Sequence, residues 1–267
     1  MRPTILYRRG VNPDEDDAEI QAAKDAGLRV IHQRTDVLED EIVIARYSCL
    51  PFYLELERDI KNRGAYLVNS FRQHSFIADM REWCYVLDEL TPKLYDRLQD
   101  LPEKGPFVLK GETNSKKHQW DTHMFAADKR AAGEVYSRLQ DDMLLAQQTI
   151  CIRDYVPLKR LATGFNGLPI TNEFRFFVYN KEILTGAFYW ASHTADLASI
   201  PSVDEVPRGF LAKVIERIDL NANFYALDVA QTETGEWIVI ELNDGQMSGL
   251  SCNTAEALYS ALSRVLL

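Results

Sequence analysis

Apolar residues along this chain come in short bursts, and the spacing within each burst switches between strand-like and helix-like. Thr4 to Arg8 is a strand-sized run followed by the acidic stretch Asp14 to Asp17, whose carboxylates suit a helix N-terminus because they complement its dipole. The helix is expected to run to about Ala26, stop at Gly27 and hand over to a second strand, Arg29 to His32, giving the β-α-β rhythm of a parallel sheet. Ile42 to Ala45 reads as another strand, Leu50 to Arg63 as a helix ending before Gly64, and Ala65 to Asn69 as a further strand. Ser75 to Leu90 reads as one helix with Ile77, Met80, Trp83, Cys84 and Leu87 on a common face, closed by the Thr91-Pro92 turn.

From Pro106 the texture changes. Phe107 to Lys110 is predicted as a strand, followed by a polar loop, a helix from about Lys129 to Leu145 and a strand Thr149 to Val156. Glu173 to Tyr179 pairs with Ile183 to Trp190 across Asn180-Lys181, and Phe224 to Ala230 pairs with Trp237 to Asn243 across Thr234-Gly235. A helix from about Thr254 closes the chain. The expected organisation is an α/β lobe over residues 1–105, a smaller sublobe over 106–156 and a larger one over 157–267.

Composition narrows the class. With 267 residues and 46% apolar content the chain can bury a sizeable core, and no apolar run approaches the roughly 18 to 20 residues that span a bilayer. The opening Met1-Arg2-Pro3 lacks the pattern of a secretory signal, so the expected location is the cytoplasm. The formal charge of −10 disfavours bulk nucleic-acid binding. The cysteines Cys49, Cys84, Cys151 and Cys252 are scattered, with neither metal-binding nor disulfide-dense spacing, and read as reduced thiols.

The sharpest chemistry lies in the second hairpin. Asp228 sits on its first strand, while Glu241 and Asn243, two residues apart, project from one face of the second. Carboxylate and amide oxygens of this kind suit magnesium, which takes hard donors and completes its octahedron with nucleotide phosphates. Ala226 and Ala230 flank Asp228 and would leave room for a triphosphate, while Leu227, Val229, Ile238, Ile240 and Leu242 supply a core face. The plainer alternative is an exposed polar strand face.

Lys110 ends an apolar strand and leads into Gly111-Glu112-Thr113-Asn114-Ser115-Lys116-Lys117, where a lysine and loop amides could meet phosphate; taken alone, the pattern equally describes a solvated strand end beside a surface turn. No Walker sequence is present. Arg175 stands among Phe174, Phe176 and Phe177 and needs an anion, either a phosphate or an internal carboxylate such as Glu173 on its own face. Arg153-Asp154-Tyr155-Val156 ends a strand at a junction of sublobes, where clefts form, although in isolation it is only a polar strand end. His74, His118 and His123 lie on separate segments without zinc spacing and read as ordinary histidines.

Taken in order, Lys110, Arg153 to Val156, Glu173 to Val178, Asp228 and Glu241-Leu242-Asn243 resemble an ATP-grasp enzyme. More narrowly, the chain is similar to the divergent clade containing the eukaryotic cell-division-cycle assembly factor of translation initiation factor two, together with bacterial and phage members. Arg46 to Phe52 and Asn69-Ser70 to His74 resemble the lobe that precedes the ATP-grasp domain. The resemblance implies a mixed α and β ATP-grasp fold, two α+β sublobes gripping nucleotide behind a small α/β lobe.

It further implies ATP and magnesium as cofactors. Lys110 and Arg175 would act catalytically on phosphate, Arg153, Asp154, Tyr155 and Val156 would line adenine, and Glu173, Lys116, Lys117 and Trp120 would be nucleotide or substrate contacts. Asp228, Glu241 and Asn243 would hold magnesium. Many ATP-grasp ligases carry a glutamate where this chain has Arg153. The implied activity is carboxylate-amine ligation through an acyl-phosphate, on a peptide or protein by analogy. The alternatives are an ATP-bound assembly factor that clamps a partner protein, and a phosphotransferase.

Overall fold

A computed structural model of the chain describes residues 2–267 apart from Val11, Thr113, Leu144, Phe165 and Asn166, so Thr113 of the polar loop and Leu144 of the expected helix lie outside the described residues. The first lobe follows the expected rhythm: β1 (Arg2–Tyr7), α1 (Pro13–Asp25), β2 (Arg29–Ile31), β3 (Glu41–Arg46), α2 (Tyr53–Lys61) and β4 (Tyr66–Leu67). These strands form a parallel sheet in the order β2-β1-β3-β4. Side-chain alternation divides its residues between two cores. Leu6, Val43 and Ala45 pack with Tyr53, Leu56 and Ile60 of α2, while Ile5, Tyr7 and Ile44 pack with α1 and the C-terminal helix. The strand expected over Ala65 to Asn69 shrinks to two residues because Asn69 leaves the sheet. It pairs instead with Asn223 and Phe224, accepting from both N–H groups and donating to Phe224 O.

Residues 75–90, expected as one helix, are two: α3 (Phe71–Ala78) and α4 (Met80–Leu87). The break is Asp79, extended at φ −88° and ψ 105°, whose carboxylate accepts from Arg81 N and pairs with the Arg81 guanidinium. A short acidic side chain that satisfies the backbone locally competes with helix continuation and starts a new helix instead. The first of the two starts earlier than periodicity suggested, at a capping box between Ser70 and Gln73.

The second sheet, ordered β5-β8-β6-β7, is antiparallel: β5 (Leu94–Tyr95), β6 (Lys104–Gly111), β7 (Phe125–Asp128) and β8 (Ile150–Asp154). The short helix α5 (Trp120–His123) precedes β7, and α6 (Lys129–Gln140) lies against the sheet through Ala132, Val135 and Leu139. A small ribbon of β9 (Arg160–Thr163) and β10 (Pro169–Thr171) follows.

The third sheet runs β12-β11-β13-β14, built from β11 (Glu173–Tyr179), β12 (Glu182–Phe188), β13 (Phe224–Gln231) and β14 (Trp237–Asp244). Phe174, Phe176 and Val178 enter one core with α4 and α7 (Arg208–Ile218), while Phe177 enters the other with α8 (Ala255–Leu266), the alternation expected for β11. The β13–β14 pairing departs from the expected regular hairpin. Asp228 opposes Glu241 but Val229 opposes Val239, so Ile240 is an extra residue in a β-bulge. The bulge reverses the phase of β14: Val239 and Leu242 enter the core, whereas Ile238 and Ile240, expected beside Leu242 in the core face, join Glu241 on the wall of a cleft. Among the described residues no helix is long and apolar enough to cross a membrane.

Candidate functional site

Two adjoining cavities share Ser115, Lys117 and Glu241: one of about 130 Å³ between the second and third sheets, and one of about 450 Å³ between the third sheet, the loop after β6 and the helices α3 and α4. The smaller is lined by Lys110, Trp120, Glu173, the whole stretch Arg153 to Val156 and the bulged Ile240. Its polar groups are already partly committed. Asp154 N and Tyr155 N donate to Lys93 O and Pro106 O, and Asp154 Oδ1 accepts from Tyr95. Arg153 is buried, 3.4 Å from Thr91 Oγ1, with its guanidinium over the Trp83 ring. Trp120 and Phe125 pack around Tyr155 to close one side.

The larger cavity is walled by Arg175, Tyr189, Glu241, Asn243, Asp244 and His74, among others. Each cation of the cleft has a partner. Lys110 pairs with Glu241. Arg175 donates through Nε and Nη2 to both oxygens of Asp228, each at 2.7 Å, and through Nη1 to Gly249 O at 2.9 Å. The internal carboxylate that Arg175 meets is therefore Asp228, its cross-strand neighbour, rather than Glu173. Lys117 donates to the Tyr189 hydroxyl at 2.8 Å, and the Tyr189 ring also lies beneath the Arg175 guanidinium at 5.0 Å. Tyr189 thus carries two cations on one aromatic residue. It is the penultimate residue of the run Ile183 to Trp190, and nothing in the sequence singles it out.

Burial and charge pull the acids apart. Burial pushes the Glu173 carboxyl up to about 7 against the opposing pull of Lys117. Burial also works against the charge on Glu241, yet Lys110 and Lys117 hold its carboxyl well below the usual carboxylate range. Burial opposes the charge on Lys117 in turn, and Tyr189, Glu241 and Glu173 hold its pKa above the ordinary lysine value.

Of the sequence-predicted set, Lys110, Lys117, Trp120, Arg153, Asp154, Tyr155, Val156, Glu173, Arg175, Glu241 and Asn243 line the two cavities. Lys116 does not: its ammonium pairs with Asp142 at 2.6 Å. Asp228 has no exposed surface and sits behind Arg175, with Asn243 Nδ2 3.5 Å from its Oδ2. The room expected beside Ala226 is filled by protein, since Ala226 packs with Ala255 and Leu258 of α8.

Among the described residues no group of three or more His, Cys, Asp or Glu could by itself hold a metal ion. Of the expected donors, Glu241 and Asn243 face the larger cavity and Asp228 lies beneath Arg175, a partial set of carboxylate and amide oxygens of the kind magnesium accepts when phosphates and water complete its shell. Their chemistry fits that ion.

The profile of the ATP-grasp domain, R2K clade family 3, matches residues 98–262, and the chain belongs to that family. Solved structures share the whole fold. A RimK domain ATP-grasp protein from Sphaerobacter thermophilus DSM 20745 aligns over 99% of this chain and 100% of its own at 17% identity and a TM-score of 0.62. D-cycloserine synthetase DcsG aligns over 99% of each chain at 14% identity and a TM-score of 0.60. ATP-grasp ligase PsnB, complexed with minimal precursor, Mg and ADP, aligns over 99% of this chain and 96% of its own at 10% identity and a TM-score of 0.58. At these identities the likeness speaks for the fold, which is ATP-grasp. No curated protein sequence matches the chain.

Proposed function

We propose that the chain is a magnesium- and ATP-dependent carboxylate-amine ligase that works through an acyl-phosphate. The observation that carries the reading is the convergence, between two sheets, of Lys110, Lys117 and Arg175 with Glu241, Asn243 and the underlying Asp228. Family membership supports it, and so do neighbours that are themselves a synthetase and a ligase. A peptide or protein substrate is proposed because PsnB is also described with its precursor peptide.

In this reading the smaller cavity takes the base and ribose, with Ile240, Trp120 and Tyr155 supplying apolar and aromatic surface. Because the N–H groups of Asp154 and Tyr155 are taken, backbone recognition of the base falls to the carbonyls of this stretch and to Val156. Lys110, Lys117 and Arg175 meet the phosphates, and Glu241 and Asn243 would hold the magnesium ion with Asp228 behind them. When bound, that ion would neutralise charge on the transferring phosphoryl group. The cationic side chains stabilise the same charge by position, in a partly water-excluded cleft. No protein nucleophile is required. Residues 1–105 serve in this reading as the preceding lobe, 106–156 as the smaller sublobe and 157–267 as the larger, interlocked where β5 of the first pairs with β8 of the second.

Incubation with magnesium, labelled ATP and a cell extract tests the reading. ADP together with a new amide is the expected result. A phosphorylated product would indicate phosphotransfer instead, and tight ATP binding without turnover would indicate a nucleotide-stabilised assembly factor.

A further inference from the structure

His74 read as an ordinary histidine in the sequence, yet it is 3% exposed, lies in the wall of the 450 Å³ cavity and is held on two sides. Its Nδ1 is 3.0 Å from Asp244 Oδ2. Its ring stacks on Tyr53 at a centroid distance of 4.0 Å and an interplanar angle of 6°. Asp244 also accepts from Asn69 Nδ2 and Gln246 N, both at 3.0 Å, so it is the acceptor of this network and Nδ1 must be the donor. Tyr53 is itself fixed, donating to Asn69 O and accepting from Gln246 Nε2. A histidine whose Nδ1–H is given to a carboxylate carries its lone pair on Nε2, and the carboxylate steadies the imidazolium formed when that lone pair takes a proton.

The cavity that His74 lines is also lined by Arg175, Glu241 and Asn243, the groups assigned above to phosphate and metal. We propose that His74, oriented by Asp244, is the general base for the acceptor amine, an inference that rests on the ligase reading. An alkylamine arrives at neutral pH as its ammonium form. His74 Nε2 takes one of its protons, and the freed nitrogen lone pair forms the C–N bond to the acyl-phosphate carbon. The C–O bond to phosphate breaks as that bond forms. The nitrogen's surplus proton leaves with the phosphate, giving amide and hydrogen phosphate, and the imidazolium returns its proton to solvent. The charged groups facing the same cavity are Glu112, Lys117, Arg175, Glu241 and Asp244. The other role open to the dyad is structural, tying α3 to the end of β14.

Two measurements separate these roles. Two-bond proton–nitrogen NMR on the full wild-type chain is expected to show His74 protonated at Nδ1 with a bare Nε2. A proton on Nε2 overturns the proposal without recourse to any variant. In the second, magnesium, ATP and a casein digest as carboxylate source are offered either methylamine or hydroxylamine, which is a far weaker base and already uncharged at neutral pH. The wild-type chain is expected to form both methylamides and hydroxamates. In H74Q methylamide formation falls by about 100-fold or more, the usual scale of general-base catalysis, while hydroxamate formation falls by no more than about a tenth of that factor. Equal losses with both acceptors overturn the role of His74 and leave the ligase standing. Absence of both products from the wild-type chain overturns the ligase reading, and this inference falls with it.

Discussion

Arg175 and Asp228 face each other across the β11–β13 pairing, and the guanidinium closes on both carboxylate oxygens at 2.7 Å. Because Asp228 has no exposed surface, removing Arg175 strands a buried charge. Arg175→Met should therefore lower stability by about 3 kcal/mol or more. The double variant R175M/D228L should lose markedly less than the sum of the two single variants, since it leaves neither charge behind. Urea denaturation of the four proteins measures the coupling, and strict additivity would show that the pair does not act as a unit.

Lys110 and Glu241 bind each other in a cleft that both would share with nucleotide. Lys110→Ala is expected to weaken ATP binding by about 10- to 100-fold, the range for losing a charge-assisted hydrogen bond, with or without magnesium. Glu241→Gln should weaken binding only when magnesium is present. With a chelator added, it should bind ATP at least as well as the wild-type chain, because a carboxylate has been removed from beside the phosphates. Calorimetric titration in both conditions decides. A loss in E241Q that ignores magnesium would remove Glu241 from the metal.

Glu173 gives a pH signature. Its carboxyl is held at about 7 in the folded chain, above the ordinary 4.5, chiefly by burial. Between these values the folded state keeps a proton that the unfolded state has lost, so its contribution to stability is present in acid and lost as pH rises toward and through 7. Once ionised, the buried group costs on the order of 3 kcal/mol. Glu173→Gln should thus gain stability relative to the wild-type chain between pH 5 and pH 8. Urea midpoints at the two pH values give the readout, and a constant difference between the proteins would contradict the buried, proton-holding glutamate.

The bulge at Ile240 assigns neighbouring apolar residues to different tasks. Val239 is fully buried in the core, whereas Ile240 is only partly buried and lines the smaller cavity. Val239→Ala should cost about 2 kcal/mol of stability with ATP affinity little changed. Ile240→Ala should cost less stability yet weaken ATP several-fold, by removal of apolar contact from the cavity wall. A reversed pattern would place the extra residue elsewhere on the strand.

Much of this architecture was legible locally. The β-α-β opening, both hairpins and the alternating faces of β11 follow from periods of 2 and 3.6 and from turn residues, which are properties of neighbours in the chain. Part of the candidate cleft was legible too: Arg175 among aromatics and Asp228, Glu241 and Asn243 on one hairpin asked for a reason, whereas Lys117, Trp120 and the roles of Lys110 and Arg153 to Val156 came through the family resemblance. The sequence reading lacks α7, although Leu211, Val214, Ile215 and Ile218 carry helical spacing, and the β9–β10 ribbon; two other departures have no periodic signal. Asp79 interrupts a helix through its own carboxylate, and Ile240 breaks an alternation that looked regular in the residue pattern.

By itself, then, the sequence determined most of the elements and the inventory of ionisable groups, since these depend on local propensity and on which side chains exist, and the ordered set of motif residues carried the family resemblance from which the class of fold followed. Only the tertiary structure decided who meets whom. It gave Arg175 to Asp228 rather than Glu173, turned Lys116 toward Asp142, and brought His74 of α3 against Asp244 of β14, 170 positions away. Partners so distant in the chain are set by the packing of whole sheets and helices, and in a buried cleft the energy of a charge depends on its partner far more than on its own identity.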